Sequence, residues 1–73
     1  MSEIEKDFKI ILGKTIEGLR IKKQLSTRQF ALLAGMEHHQ IINIEKGRVD
    51  IRLSTLIKIA KVFDVKPKEL LDF

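Results

Sequence analysis

The stretch 27–46 constrains the fold of this chain more than any other part of its sequence. Small and apolar residues recur there at fixed distances: Ala31, Gly35, Ile41 and Ile44. The small side chain of Ala31 lets two helices approach closely, and Gly35 can adopt the positive φ of a tight turn at little steric cost. Because Ile41 and Ile44 lie three residues apart, they give the second helix an inner face. The spacing therefore predicts two short helices that cross steeply and leave the outer face of the second one polar and prominent.

Apolar residues elsewhere recur at helical spacing and predict three further helices. One buried stripe would consist of Phe8, Leu12, Ile16 and Leu19, which places a helix at about residues 6–23. Residues 53–63 would form another amphipathic helix, with a stripe of Leu53, Leu56, Ile57, Ala60 and Val62 or Phe63. Pro67 suits the first turn of a last short helix through Leu71, because its φ is fixed near the helical value.

The two central helices carry local signals for their ends. Ser26 and Gln29 form a capping-box pair that would start the first of them. This helix would end at Gly35, and the next would run from about His38 to Lys46 and end at Gly47. The core beside the pair would be lined by Phe30, Leu33, Ala34 and Met36. The sequence therefore predicts an all-α, compact five-helix domain without strands that spans residues 1–73 as one unit.

Composition narrows the class of protein further. A chain of 73 residues without cysteine has no disulfide, so its stability must come from packed helices, a dimer interface or both. No apolar run approaches the roughly 18 residues of a membrane span, and the charged N-terminus lacks the pattern of a signal peptide. The net charge of +4 favours a polyanionic partner. We expect a soluble, cytoplasmic protein that associates with the nucleoid and not with a membrane.

Neither catalysis nor metal binding is expected. His38 and His39 are adjacent, so on a helix their side chains point about 100° apart, and no third ligand lies at useful spacing. The sequence contains no glycine-rich phosphate loop, nucleophile motif or paired carboxylates. We therefore predict no enzymatic activity, no metal site and no cofactor.

The chain resembles the lambda repressor and Cro-like helix-turn-helix family, also called the xenobiotic-response-element family. The resemblance covers nearly the whole sequence, through Leu12-Gly13-Lys14, Leu19-Arg20, Leu25-Ser26, Ala31-x-x-x-Gly35, Ile41-x-x-Ile44-Glu45-x-Gly47, Leu56-x-x-Ile59-Ala60 and Val65 to Leu70. Members of this family usually bind pseudo-palindromic operators as dimers and regulate transcription. The resemblance implies a homodimeric regulator that inserts its third helix in the major groove of double-stranded DNA.

The resemblance also implies roles for individual residues. Base edges would be contacted by His38, His39, Gln40, Ile42 and Asn43. The DNA backbone would be contacted by Thr27, Arg28, Lys46, Arg48 and Arg52. Two questions remain open. Ile42 is either a thymine-methyl contact or an ordinary surface isoleucine. Lys46, Arg48 and Arg52 either clamp phosphates or form a solvated basic face.

Some positions depart from the family pattern or serve its structure. Glu37 occupies the N-cap of the third helix, where Ser or Thr is usual, and is either a structural cap or an acceptor for a cytosine amine. Asp50 and Arg52 replace the commoner Asn and Ser, which leaves the cap of the fourth helix undefined. By resemblance, Arg20 and Glu45 would form an ion pair that braces the first helix against the third.

The oligomeric state and the biological role allow several hypotheses. Leu70, Leu71 and Phe73 would form a two-fold interface, the alternative being simple closure of the core. A chain this small suits a restriction-modification controller or a phage-type switch. It could instead be an antitoxin or another protein-binding module with a toxin or other protein partner, or the detached head of a longer regulator.

Overall fold

The computed structural model describes the backbone of residues 3–72 and the side chains of residues 6–72, so Phe73 lies outside the described residues. The described residues form five helices and no strand: α1 (Glu3–Lys22), α2 (Thr27–Ala34), α3 (His38–Glu45), α4 (Leu53–Phe63) and α5 (Pro67–Leu70). The all-α prediction is confirmed. The main difference in bounds is at α1, which begins at residue 3 and not at residue 6.

The local signals around α2 act as the sequence predicts. The backbone N–H of Gln29 donates to the Ser26 hydroxyl at 3.0 Å, and that of Ser26 donates to the Gln29 side chain at 2.8 Å. At the other end Gly35 adopts φ +65°, and the N–H of Met36 donates back to the carbonyl of Ala31 at 2.9 Å. The capping box and the glycine stop together fix the length of α2.

The core lies where all five helices meet. Five large side chains are almost completely buried, one from each helix: Ile16, Phe30, Ile41, Ile59 and Leu70. The rings of Phe30 and Phe63 lie 5.0 Å apart and join α2 to α4. Because each helix contributes to one cluster, the position of α3 depends on the packing of the whole domain.

Four side chains predicted to be buried are exposed instead, and Ile57 of α4 is one of them, at 37%. Phe8 is 50% exposed, because it lines an open depression together with Val49, Leu53 and Leu71. Leu33 is 62% exposed, because the buried face of α2 is taken by Phe30, Ala31 and Ala34. Leu53 is 69% exposed, because it is the first residue of α4 and no preceding turn covers it.

Two glycines allow α1 to pack closely against α3 and the turn that follows it. A Cβ at Gly13 would lie 2.5 Å from the carbonyl oxygen of Ile44 and 2.6 Å from that of Glu45. Gly47 has φ +69°, and a Cβ there would lie 2.8 Å from the Cα of Ile10. At both glycines, therefore, the backbone of α1 packs directly against the backbone of α3 or of the turn that follows α3.

Within the described part of the chain, no helix has the length and apolar character that a membrane crossing requires.

Candidate nucleic-acid interface

The two faces of α3 have opposite character. Its inner face holds Ile41 and Ile44, which are 0% and 4% exposed. On its outer face His39 and Gln40 are exposed, while Ile42 and Asn43 are half-buried. Since the inner face is locked in the core, the outer face of α3 is presented to solvent in a fixed orientation. Four of the five proposed base-reading residues therefore lie together on the outer surface of α3.

A hydrogen bond joins the starts of α2 and α3. The Thr27 hydroxyl lies 2.7 Å from Nε2 of His38, and both residues are half-buried. The sequence assigned Thr27 to the DNA backbone and His38 to bases, whereas in the structure the two side chains bind each other. This contact holds the His38 ring against α2 and makes the adjacent His39 the exposed imidazole of the pair.

The first turn of α3 is stabilised by Gln40. Glu37 occupies the N-cap position as expected, and its backbone N–H donates to Oε1 of Gln40 at 2.9 Å. The amide oxygen of Gln40 is thereby used within the protein, which leaves its NH₂ group as the end that can donate outward.

Basic side chains surround the outer face of α3. Arg28 lies on α2, while Lys46, Arg48 and Arg52 follow α3, and all four are exposed. In the part of the chain that the structure describes, no carboxylate lies within ion-pair distance of any of them. Their charges are therefore uncompensated and can contact phosphates.

Asn43 connects the outer face of α3 to this basic group. Its Oδ1 accepts a long hydrogen bond of 3.4 Å from an N–H of Arg48. Asn43 also lines one shallow depression together with Gln40 and Arg52. A bond this long is weak, so both side chains can exchange it for contacts with DNA.

The ion pair expected between Arg20 and Glu45 is present and braces α3 from behind. Nε of Arg20 lies 2.7 Å from one carboxylate oxygen of Glu45, and a second guanidinium nitrogen lies 3.1 Å from the other. The remaining nitrogen donates to the carbonyl of Leu25 at 2.9 Å. The hydrogen bond that Arg20 donates to Glu45 raises the pKa of Arg20, against the effect of burial, so the guanidinium stays charged. The pair fixes the C-terminal end of α3 against α1.

Two polar contacts near the site were not predicted. One is the bond between Thr27 and His38, for which the sequence carries no local signal. The other is an ion pair between Lys9 and Asp50, whose nitrogen and oxygen lie 2.8 Å apart. Asp50 departs from the family pattern. Its carboxylate lies in a basic loop and forms an ion pair with Lys9 of α1.

The residues predicted to form the dimer interface differ in how far they are buried. Leu70 is 1% exposed and fills the core of its own chain, so its assignment to a dimer interface is wrong. Leu71 is 49% exposed, and Phe73 lies outside the described residues.

No cluster of three or more potential metal-ligating side chains occurs within the described part of the chain.

The sequence is similar to a helix-turn-helix family and to proteins named as control proteins and transcriptional regulators. A family model described as helix-turn-helix, HTH_3, matches residues 16–70. The control protein C.BamHI of Bacillus amyloliquefaciens is 29% identical over 68 residues, which cover 92% of this chain and 84% of that protein. The HTH-type transcriptional regulator PuuR of Escherichia coli (strain K12) is 37% identical over 57 residues; these cover 78% of this chain and only 31% of PuuR.

A solved structure of similar size agrees with these matches. The crystal structure of the restriction-modification controller protein C.AhdI from Aeromonas hydrophila superposes with a TM-score of 0.81. Its sequence is 30% identical, and the match covers 84% of this chain and 92% of C.AhdI. The arrangement of the helices around α2 and α3 is therefore similar in the two proteins.

Proposed function

This chain belongs to the HTH_3 helix-turn-helix family and is a DNA-binding transcriptional regulator, not an enzyme, and we propose that two copies read a pseudo-palindromic operator with α3 in the major groove. The observation that carries this proposal is the outer face of α3, which is polar, uncovered and fixed from behind by the core. A helix presented in this way fits the major groove, where each base pair shows a distinct pattern of donors and acceptors.

Base reading is assigned to the middle of that face. Asn43 offers an amide that can pair with adenine, and the exposed His39 can donate to guanine. Gln40 contributes its NH₂ group, because its oxygen is held by the backbone of Glu37. Ile42 offers methyl groups to a thymine. Thr27 positions His38 beside them, and the N-terminal amides of α2 add an attraction for phosphate at this edge.

Orientation on the duplex is assigned to the basic side chains at the edges. Arg28 would contact phosphates on one side of the groove, and Lys46, Arg48 and Arg52 those on the other. Their uncompensated charges support this role. Such contacts carry no sequence information, so they position α3 without specifying the base sequence.

Among regulators of this family, a restriction-modification controller is the role that we propose. The match spans 84% of C.BamHI and 92% of C.AhdI, both described as control or controller proteins, but 31% of PuuR. The likeness therefore extends over nearly the whole of the two controllers. As a regulator of transcription, the protein would act in the cytoplasm at the nucleoid.

Selection from random double-stranded DNA at fixed salt tests the function. We expect enrichment of a palindrome with half-sites about 34 Å apart, one turn of B-DNA, because two α3 helices would enter successive major grooves. Recovery of no enriched sequence would contradict operator reading and favour a protein-binding role on the same fold.

Two substitutions separate base reading from backbone contact. Asn43→Ala should weaken binding to the selected operator by about 1–3 kcal/mol and binding to random DNA much less. Arg48→Ala should weaken both equally and reduce the dependence of affinity on salt, because it removes a phosphate contact. Binding isotherms at several salt concentrations measure both effects. Equal losses on the two DNAs for Asn43→Ala would remove its role in base reading.

A further inference from the structure

The surface where α2 meets α4 carries exposed apolar side chains beside two lysines. Leu32 and Leu33 on α2 are 82% and 62% exposed. Leu33 also lines a depression of about 400 Å³ between the two helices, together with Ala34, Lys58, Lys61 and Val62. We call the surface formed by Leu32 and these five lining residues the α2–α4 patch. We propose that an acidic, amphipathic segment of another protein binds there.

The apolar part of the α2–α4 patch is held in place by the core. Ala34 is buried and belongs to the core, and Val62 packs against the same cluster. The rings of Phe30 and Phe63, which lie 5.0 Å apart, join α2 to α4. The two walls of the depression therefore keep their spacing. An apolar side chain that enters it would remove Leu33 from water at little cost in ordering the protein.

The charge at the edge of the α2–α4 patch selects an acidic partner. Lys58 and Lys61 are exposed and lie three residues apart, which places them on one side of α4. Within the described residues, neither ammonium group has a carboxylate at ion-pair distance, and this includes Asp64 at the end of α4. An amphipathic helix with carboxylates beside its apolar face matches both features, because its carboxylates would meet the lysines while its apolar side chains fill the depression.

Two other occupants match the α2–α4 patch less well. In a two-fold contact between copies the patch would meet itself, which would bring four lysines together without a counter-charge. Phosphates of DNA can pair with Lys58 and Lys61, but a phosphate has no apolar group to cover Leu32 and Leu33. A protein segment is the occupant that uses both the apolar and the basic part of the patch.

The α2–α4 patch lies beside the surface assigned to DNA. Arg28 and Leu32 are four residues apart on α2, so they share one side of the helix at about 6 Å along its axis. A segment that covers Leu32 would lie next to the phosphates that Arg28 is proposed to contact. The partner is therefore a protein that acts on the same DNA. This last step rests on the proposed function, whereas the acidic chemistry of the partner does not.

Selection of random phage-displayed peptides on the full chain tests the inference. We expect the recovered peptides to combine large apolar side chains at helical spacing with Asp or Glu. Synthetic copies should bind in fluorescence anisotropy, and replacing their acids by lysine should abolish binding. Leu33→Gln and Lys58→Glu should each weaken binding at least ~10-fold, because one removes an apolar wall and the other reverses a charge at the edge.

Two variants of the same kind serve as matched controls. Leu53→Gln changes a leucine that is 69% exposed in a different depression, and Lys14→Glu reverses an exposed charge on α1. Both should bind the peptides as the wild type does. All four replaced side chains are exposed, so the variants should fold, and thermal melts check this point. Recovery of no acidic peptide, or equal losses for Lys58→Glu and Lys14→Glu, would overturn the inference.

Operator binding separates this inference from the proposed function. Lys58→Glu and Lys14→Glu should lower the operator affinity to a similar, small extent, because they change the net charge alike and neither side chain is assigned to DNA. The peptides should bind the protein as tightly on the operator as off it. A larger loss of operator affinity in Lys58→Glu, or displacement of the peptides by the operator, would place the patch in the DNA interface and overturn the inference.

The two failures have different signatures. If acidic peptides bind at the α2–α4 patch but no DNA sequence is selected, the proposed function fails while the binding surface stands. If a palindrome is selected but the recovered peptides bind Leu33→Gln as tightly as the wild type, this inference fails alone.

Discussion

Glu45 is a charged side chain at the centre of the fold, and its residue is 7% exposed. A carboxylate in such a position destabilises the protein unless it is paired with an opposite charge and hydrogen-bonded. Arg20 meets this need with two parallel N–H donors, a geometry that lysine cannot supply. Since the pKa of Arg20 is raised, the contribution of its charge is complete at neutral pH and is lost only in strongly alkaline solution.

Glu45→Gln should destabilise the protein by about 3 kcal/mol, because it leaves the guanidinium buried without its counter-charge. In a domain of this size the melting temperature should fall by more than roughly 10 °C. Glu17→Gln is the control, since that carboxylate lies 3.9 Å from Arg20 and its side chain is 47% exposed. An exposed pair contributes little, so this variant should melt within a few degrees of the wild type. Equal melting of Glu45→Gln and wild type would show that the pair does not brace α3.

Among the helices, the contact between α1 and α3 decides where the DNA-reading surface lies. At Gly13 the two backbones touch without a side chain between them, because a Cβ would lie within 2.6 Å of two carbonyl oxygens of α3. The contact is continued by the turn at Gly47 and by the pair of Arg20 and Glu45. A change in the spacing of α1 and α3 would therefore move the outer face of α3 relative to the basic side chains around it.

Two glycines of α1 give a matched test of this contact. Gly13→Ala should destabilise the protein by about 1–3 kcal/mol, since backbone must shift to accept the methyl group. Gly18→Ala should stabilise it by about 0.5–1 kcal/mol, because no described atom outside the adjoining backbone of α1 lies within 4 Å of the new Cβ and alanine favours the helix. Denaturant unfolding of both variants measures the two free energies. A stable Gly13→Ala variant would mean that α1 and α3 are not in tight contact.

At the scale of the whole molecule, size and charge fit a paired reader of DNA. The domain measures 32 × 24 × 21 Å, a size that lets two copies of the proposed pair lie side by side with their α3 helices one turn of B-DNA apart, about 34 Å. The net charge of +4 attracts each copy to the duplex, but the two copies repel each other.

Insertion of about 5 base pairs between the half-sites should lower the affinity for the operator to that for a single half-site. Half a turn places the second half-site on the opposite face of the duplex, where a rigid pair of α3 helices cannot reach it. The same insertion outside the operator serves as the control and should have no effect. Retention of full affinity across the longer spacer would contradict a fixed two-fold arrangement.

Local chemistry allowed the sequence by itself to determine the helices of this protein. The pair Ser26 and Gln29, the glycine at 35 and the proline at 67 act through neighbouring backbone atoms, so their effects could be predicted without tertiary contacts. Helical periodicity identified one face of each long helix for the same reason. The ion pair of Arg20 with Glu45 was predicted from family resemblance, since no local rule joins residues 25 positions apart.

The tertiary structure alone decided which ends of those faces are covered. Periodicity assigned Phe8 and Leu53 to buried stripes, but burial depends on which elements cover each position, and both side chains line one open depression. The same applies to Leu70 and Leu71, adjacent residues of which one fills the core and the other is 49% exposed at that depression. The bonds of Thr27 with His38 and of Lys9 with Asp50 join residues distant in sequence. Such contacts form only when the packed core brings their helices together, because sequence spacing fixes directions within one helix and not distances between helices.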